Sequence, residues 1–130
     1  MISRALIPIR VRYSECDPMN VAHHSSFLPW LEIARTELLR LNGMSYAECE
    51  RRGVYFVVAR LNIRYRRPAR YDDELQVEVE LEEGALIKLV HLYRVLRGEE
   101  LIADAQSTLV CVDRAGAPRP VPELFLPQAR

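Results

Sequence analysis

The chain has 130 residues, with 18 basic and 18 acidic side chains and a formal net charge of zero. This length fits one domain with a core of its own, which we expect to span residues 1–130. A zero net charge offers no overall basic field for nucleic acid, and no apolar run approaches the ~18 residues that a membrane span requires.

The first predicted element is a strand over residues 6–14, where apolar and polar side chains alternate. Alternation with a period of two is typical of a strand with one buried face. The residues predicted to face inward are Ile7, Ile9, Val11 and Tyr13. Because Pro8 has no N–H to donate, we expect this strand to lie at a sheet edge or to start there.

A long helix is predicted over residues 26–42, where apolar residues recur at spacings of three and four. These residues are Phe27, Leu31, Ala34, Leu38 and Leu41, and Trp30, Ile33 and Leu39 widen the apolar face. A face this wide predicts that other parts of the structure wrap around the helix. We expect Ser25 or Ser26 to cap its start and Gly43 to end it in a left-handed conformation.

A short second helix is predicted after this, since Ser45–Glu48 fits a capping box and Gly53 fits a stop. The remainder predicts four strands joined by short turns, at residues 55–65, 75–82, 86–96 and 101–112. In the 55–65 strand the alternation places Tyr55, Val57 and Leu61 on one face, and in the 75–82 strand apolar and polar residues alternate with a period of two. The turns are placed at Asp72–Asp73, Glu83–Gly84 and residues 97–100. The 86–96 strand is apolar on both faces, which is typical of a central position.

The predicted order is therefore strand, helix, short helix and four strands. Short turns favour antiparallel pairing. We expect an α+β protein in which the long helix lies on the concave face of a curved antiparallel sheet.

Asp17 is the leading candidate for chemistry. It follows the first strand and precedes a turn at residues 18–20, where Asn20 tolerates a left-handed conformation. The turn leads into a helix start, which offers unpaired N–H groups and a partial positive charge. A carboxylate beside an anion-stabilising site suits acyl transfer. The alternative is that Asp17 only stabilises the loop.

Other polar residues near this loop have simpler interpretations. Adjacent histidines in an extended segment point to opposite sides, so we do not expect His23 and His24 to share a metal ion. We expect Cys16 to be a small buried thiol, although a nucleophile with a histidine partner is the alternative. Glu32 is either a second carboxylate of the site or a charge on the helix face, and we favour the structural role.

A basic cluster begins within the second predicted strand and continues into the segment after it, and it could meet phosphates, with a solvated strand face as the equal alternative. It comprises Arg60, Arg64, Arg66, Arg67 and Arg70, together with Lys88. Three widely spaced cysteines without a CxxC pair argue against disulfides and structural zinc, which favours a cytoplasmic location.

Three stretches together resemble the hotdog-fold acyl-CoA thioesterases, and most closely the 4-hydroxybenzoyl-CoA thioesterase-like branch. They are VRYSECDPMNVAHHSSFLPWLEIAR, FVVARLNIRYRRPARYDDEL and STLVCVD. The resemblance covers roughly Ile9 to Val121. It implies a hotdog fold, in which a curved antiparallel sheet of about five strands wraps around one long central helix.

The family motif reads Y-x-E-T-D-x-M-G-x-V-x-H, and its aspartate and histidine fall on Asp17 and His24. The family's threonine is replaced by Cys16 and its loop glycine by Asn20, which can narrow the approach to the thioester. A family tyrosine falls on Phe27. Further matches are the helix glutamate at Glu32 and the segment containing Tyr65, Pro68 and Asp72–Asp73.

The resemblance implies hydrolysis of an acyl-CoA thioester to the free acid and CoA. Asp17 is the implied base or nucleophile, and backbone N–H groups near His24 and Ser25 are the implied oxyanion donors. For the CoA phosphates we expect Arg64, Arg67 or Lys88. Only Lys88 is basic in the turn where some relatives carry a basic run. No cofactor is expected, because CoA is part of the substrate.

The resemblance also implies a homodimer or homotetramer with sites between protomers, which would account for apolar residues on both faces of two strands. Acyl-CoA is the expected small-molecule partner. One alternative is a non-catalytic acyl-CoA-binding module, although no length remains for a DNA-binding segment. Another is an enoyl-thioester hydratase that uses His24 with Asp17.

Overall fold

A computed structural model describes residues 1–82 and 85–125 of the chain. The strands are β1 Arg4–Arg10, β2 Tyr55–Tyr65, β3 Glu74–Leu81, β4 Lys88–Arg97 and β5 Glu100–Val112. The helices are α1 Phe27–Leu41 and α2 Tyr46–Arg51, with short 3₁₀ turns at Tyr13–Glu15, His24–Ser26 and Glu123–Phe125. This order confirms the sequence prediction, but the predicted Glu83–Gly84 turn lies outside the described residues.

The strands form one antiparallel sheet in the order β1-β3-β4-β5-β2. β1 is an edge strand, as Pro8 predicted, and β4 occupies the central position that its two apolar faces indicated. Helix α1 packs against β1 and β3 on one face of the sheet. The predicted α+β arrangement of a long helix on an antiparallel sheet is therefore confirmed.

The core lies between α1 and the inner face of the sheet. Trp30, Leu31 and Ala34 from α1 are almost completely buried, as are Val77 and Val79 from β3. Their buried side chains belong to one hydrophobic cluster. Strand β3 alternates between buried apolar and polar residues along its length, which confirms the period-two pattern predicted there.

Strand β2 departs from its predicted alternation because it contains a β-bulge. The pairing register with β5 shifts between Val58 and Arg60, so Ala59 is the extra residue. Before the bulge Val58 is paired with the buried Leu109, and after it Leu61 is paired with the buried Ser107. The prediction that Tyr55 and Val57 share a face with Leu61 is therefore wrong, since one extra residue exchanges the two faces.

The end of the first strand also differs from its prediction. Strand β1 stops at Arg10, and Tyr13 begins a 3₁₀ turn with its side chain 80% exposed. The inward placement of Tyr13 is therefore wrong. Backbone bonds from Val11 to Asp73 and from Asp72 to Val11 replace strand pairing there. They connect this turn to the segment before β3.

Both predicted helix stops have the expected left-handed glycine, with φ of 80° at Gly43 and 76° at Gly53. The predicted cap at Ser45 is confirmed, since its hydroxyl accepts the N–H of Glu48. The predicted cap of α1 is wrong, because Ser26 makes no side-chain capping bond and a 3₁₀ turn precedes the helix.

Helix α1 is only partly wrapped within one chain. Leu28 and Ile33 are each 43% exposed, although the apolar pattern predicted a covered helix. Within the described part of the chain, no helix is both long and apolar enough to cross a membrane.

Candidate active site

The loop that carries Asp17 is closed by backbone hydrogen bonds. Asp17 N–H donates to the carbonyl of Val21 at 2.9 Å, and Asn20 N–H donates to the carbonyl of Asp17 at 2.9 Å. Asn20 has φ of 62°, the left-handed conformation that its side chain tolerates. An isolated bridge between Cys16 and Ala22 closes the base of the loop. The loop is therefore a defined structure that holds residue 17 in one place.

The carboxylate of Asp17 is half-buried, and one of its oxygens is engaged within the loop. Oδ1 accepts the backbone N–H of Met19 at 2.8 Å. Among residues 1–82 and 85–125, Oδ2 has no hydrogen-bond partner. Asp17 thus keeps one carboxylate oxygen available for a water molecule or a substrate carbonyl.

Glu15 fixes this loop against α1, and the sequence prediction missed it. Its side chain is 7% exposed and accepts the indole N–H of Trp30 at 2.8 Å and the backbone N–H of Arg12 at 2.7 Å. Its carbonyl accepts the N–H of His23 and the hydroxyl of Ser26, both at 2.8 Å. In the sequence, the only indication of this role was the position of Glu15 between a strand end and the start of a helix that contains a tryptophan.

Some backbone N–H groups at the start of α1 already donate hydrogen bonds within the protein, and one does not. The N–H of Ser25 donates to Nδ1 of His23 at 3.2 Å, and the N–H of Ser26 donates to the carbonyl of His23 at 2.9 Å. Within the described ranges, the N–H of His24 has no hydrogen-bond partner. Of the two predicted oxyanion donors, only the one at His24 is free.

The imidazole rings of His23 and His24 lie close together and not on opposite sides of the chain. Their ring centroids are 4.1 Å apart, because His24 begins a 3₁₀ turn and the segment is not extended as the sequence predicted. Nδ1 of His23 also lies 2.7 Å from the hydroxyl of Ser25. The structure therefore assigns the hydroxyl of Ser25 to loop geometry. No metal-binding group of three or more His, Cys, Asp or Glu side chains occurs in the described part of the chain.

An open cleft of about 350 Å³ adjoins this helix start. Its lining includes Ala22, His24, Phe27, Tyr65, Arg67 and Ala69. The phenol of Tyr65 donates to the carbonyl of His24 at 3.0 Å, which fixes the end of β2 to the start of α1. Ala22 N–H donates to the carbonyl of Ala69 at 2.7 Å, so the base of the Asp17 loop borders the cleft, although Asp17 itself is not among the residues that line it.

Only one of the three predicted phosphate-binding residues lies at this cleft. Arg67 lines it and pairs with Glu100 at 3.5 Å. Arg64 lines a different pocket, on the outer face of the sheet. Lys88 begins β4, whereas Arg97 at the other end of β4 donates to the carbonyl of Pro68 beside the cleft. These two ends are nine residue steps apart along the strand, a distance of about 30 Å.

Two further candidate site residues, Cys16 and Glu32, have contacts that indicate structural roles. Burial raises the pKa of the Cys16 thiol, and the neighbouring carboxylates of Glu15 and Asp17 raise it further, so the reactive thiolate is disfavoured. Glu32 is 67% exposed and pairs with Arg35 at 3.6 Å on the same helix. Cys16 is half-buried, not buried as predicted, but the contacts of both side chains agree with structural roles.

The family model described as the thioesterase-like superfamily matches residues 11–128. The acyl-CoA thioester hydrolase YbgC of Escherichia coli O6:H1 is 36% identical over 107 residues, which cover 82% of this chain and 80% of that protein.

The acyl-CoA thioesterase YbgC of Haemophilus influenzae is 36% identical over 115 residues, covering 88% of this chain and 84% of that protein. A crystal structure of the DHNA-CoA thioesterase from Staphylococcus aureus superposes with a TM-score of 0.87 at 27% identity. It covers 94% of this chain and 83% of that chain. The hotdog fold implied by the sequence motifs is thereby confirmed.

Proposed function

The chain belongs to the thioesterase-like superfamily, and we propose that it hydrolyses acyl-CoA thioesters to the free acid and CoA with Asp17 as its catalytic carboxylate. The observation that carries this proposal is the presence of two unoccupied groups in the short segment, residues 17–24, that leads into α1. Oδ2 of Asp17 and the N–H of His24 both lack partners among the described residues. A carboxylate and an amide donor are the two groups that acyl transfer requires.

The reaction can follow either of two routes from Asp17. As a general base, the carboxylate takes a proton from water while the water oxygen attacks the thioester carbon, and the proton passes to the departing CoA sulfur. As a nucleophile, the carboxylate displaces the CoA thiolate and forms an anhydride that water then hydrolyses. In both routes the carbonyl oxygen gains negative charge that the N–H of His24 stabilises.

We place a CoA phosphate on Arg67, because it lines the cleft and its pairing with Glu100 at 3.5 Å is loose and exposed. An exposed ion pair of this kind contributes little, so a phosphate can compete for the guanidinium. Arg64 and Lys88 lie away from this cleft in the protomer and remain candidates only for a neighbouring protomer's site. The chemistry needs no cofactor, since CoA arrives with the substrate.

We propose that two protomers join through β2, in keeping with sites formed between protomers. β2 is an edge strand of 11 residues, and an uncovered edge is a template for pairing with another strand. It exposes 48% of Val57, 52% of Val58 and 38% of Leu61. Pairing of two β2 edges would bring a second protomer beside the cleft that Tyr65 lines.

A cytoplasmic location is also part of the proposal. Cys16, Cys49 and Cys111 are the three cysteines of the chain, and all are free. Free thiols suit a reducing compartment.

The test is CoA release from a panel of acyl-CoA thioesters of graded length, followed with a thiol reagent. The proposal expects release of stoichiometric CoA and free acid with multiple turnovers. Tight binding without CoA release would favour the acyl-CoA-binding module. Hydration of an enoyl-CoA without CoA release would favour the hydratase.

A further inference from the structure

Arg35, in the middle of α1, is a buried cation with an incomplete set of partners. Its side chain is 9% exposed, and its ion pair with Glu32 has a separation of 3.6 Å. Among the residues that the structure describes, Nε of Arg35 has no hydrogen-bond partner. The phenols of Tyr46 and Tyr93 also lie against the Arg35 guanidinium. Because guanidinium groups stay charged and buried polar groups are normally bonded, the remaining N–H at Nε still calls for an acceptor.

A second unpartnered atom lies beside it. His91 on β4 is 5% exposed, and its Nδ1 has no hydrogen-bond partner in the described part of the chain. Burial, aided by the charge of Arg35, lowers the pKa of His91 to about 3, so the imidazole is neutral near pH 7. Arg35 and His91 line one small cavity of about 20 Å³, which has room for a single water-sized group.

This cavity adjoins a larger open crevice of about 260 Å³ between α1, α2 and β2. The two spaces share Arg35, Tyr46 and Phe56 in their linings. Val58 and Leu109 add apolar walls to the crevice. A ligand that lies in the crevice therefore has the polar atoms of Arg35 at its inner end.

The crevice and the cleft at His24 lie along the same helix, since Glu32 and Arg35 line the first and His24 and Phe27 line the second. Helix α1 packs against β1 and β3, and α2 packs against β2, but Val58 on the inner face of β2 is still 52% exposed. Leu28 is 43% exposed near the start of the helix. Arg35 follows Phe27 by eight residues, a distance of about 12 Å along the helix axis. This spacing is the length available to an acyl group that extends from the cleft at His24.

The charges around Arg35 restrict what its partner can be. Glu32 and Glu50 both line the crevice, so a carboxylate at the end of an acyl chain would meet two negative charges. A terminal methyl group could make no hydrogen bond to the unpaired nitrogens of Arg35 and His91. A hydroxyl group is uncharged, accepts from Nε of Arg35 and can donate to Nδ1 of His91.

We propose that Arg35 and His91 bind a hydroxyl group near the far end of the acyl chain, so that the preferred substrates are acyl-CoA thioesters with a hydroxylated tail. This inference rests on the proposed function for the identity of the reacting end. Arg35 is then a specificity-determining residue, separate from the reacting groups at Asp17 and His24.

The experiment compares CoA thioethers, which cannot be hydrolysed, in pairs of equal chain length that end in either a hydroxyl or a methyl group. Binding is measured by calorimetry across a series of lengths. At the best length we expect the hydroxylated analogue to bind about tenfold more tightly, in line with one hydrogen bond to a charged donor. Equal affinities at every length in the wild-type protein would overturn the proposal.

Substitutions test whether Arg35 is the hydrogen-bond donor to the acyl hydroxyl group. Arg35→Met keeps the length of the side chain without its N–H groups and should bring the affinity ratio close to one. Arg40→Met, on the exposed side of the same helix, should leave the ratio unchanged. A ratio preserved in folded Arg35→Met protein would overturn the role of Arg35. Thermal unfolding checks each variant. If Arg35→Met does not fold, His91→Phe, which removes the acceptor at Nδ1, should lower the ratio, and an unchanged ratio in folded His91→Phe protein would overturn the proposal.

The binding experiment separates this inference from the proposed function. Discrimination between the analogues without any CoA release from true thioesters would refute the hydrolase and leave the hydroxyl site standing. CoA release with no preference between matched acyl groups, together with equal analogue affinities, would support the hydrolase and refute the hydroxyl site.

Discussion

At the scale of single residues, two carboxylates only two positions apart have different surroundings. Glu15 is buried and bonded to Trp30 and to the backbone of Arg12, so it positions the loop. Asp17 is half-buried and keeps one oxygen without a partner among the described residues. The family motif contains both acidic residues, but their roles could be separated only once the burial and the contacts of each side chain were known.

The buried imidazole of His91 predicts a pH dependence of stability. Burial lowers its pKa in the folded state to about 3, from an ordinary value of 6.5. Between these values the unfolded chain binds a proton that the folded chain does not. Stability should therefore rise with pH across this window by up to about 1.4 kcal/mol per unit.

The measurement is urea unfolding of the wild type and His91→Phe between pH 4 and 8. The difference in unfolding free energy between them should change below about pH 6.5 and stay constant above it. A difference that is independent of pH would mean that His91 is not held neutral by burial.

At the scale of elements, the Asp17 loop depends on the left-handed conformation of Asn20, with φ of 62°. Asn20→Gly should keep the loop and its activity, because glycine adopts this conformation freely. Asn20→Val should cost about 1–2 kcal/mol of stability and reduce kcat, since a β-branched residue disfavours positive φ. Urea unfolding and thioester turnover measure the two effects.

Asp72 provides the matched control for that prediction. It also has a left-handed φ, of 68°, but lies in the turn before β3. Asp72→Val should lose comparable stability with little change in kcat. Equal loss of kcat in both valine variants would show that general destabilisation, and not the Asp17 loop, limits activity.

Most of the elements were predictable because each has a strong local pattern. The alternation in β3 and the spacing of three and four in α1 follow directly from one buried face. The bulge at Ala59 was not predictable, because alanine fits either face of β2 and the apolar residues continue on both sides. The pairing of His23 with Ser25 likewise depends on a 3₁₀ turn that carries no periodic signal.

The candidate site was predictable only in part for a related reason. Asp17 and His24 lie in one short loop, so sequence proximity already placed them together. Lys88 and Arg67 lie at different ends of the sheet, because Lys88 begins β4 and Arg67 lies at the cleft near the other end of that strand. This separation depends on strand pairing, which no local sequence pattern reveals. Arg35 gave no signal either, since an arginine between apolar helix positions looks solvated until its burial is known.

At the scale of the whole molecule, the proposed dimer accounts for the exposed apolar residues on β2. Leu61→Glu would place a charge at the proposed interface and should weaken dimerisation by at least about tenfold. Sedimentation equilibrium over a range of concentrations measures this change.

Leu6→Glu is the matched control, because Leu6 is 54% exposed on β1 at the opposite edge of the sheet. It should leave the dissociation constant of the dimer unchanged. If Leu6→Glu dissociates the dimer and Leu61→Glu does not, the protomers join through the other edge.

The most direct measurement is the kcat of Asp17→Asn for an acyl-CoA that the wild type hydrolyses. The asparagine oxygen can still accept the N–H of Met19, so the loop should be retained while the basic, nucleophilic oxygen is lost. Asp113→Asn is the control, since Asp113 likewise accepts backbone N–H groups, from Ala115 and Ala117. We predict that kcat falls by at least about 100-fold in Asp17→Asn and stays near wild type in Asp113→Asn. Wild-type turnover by folded Asp17→Asn protein would contradict the account.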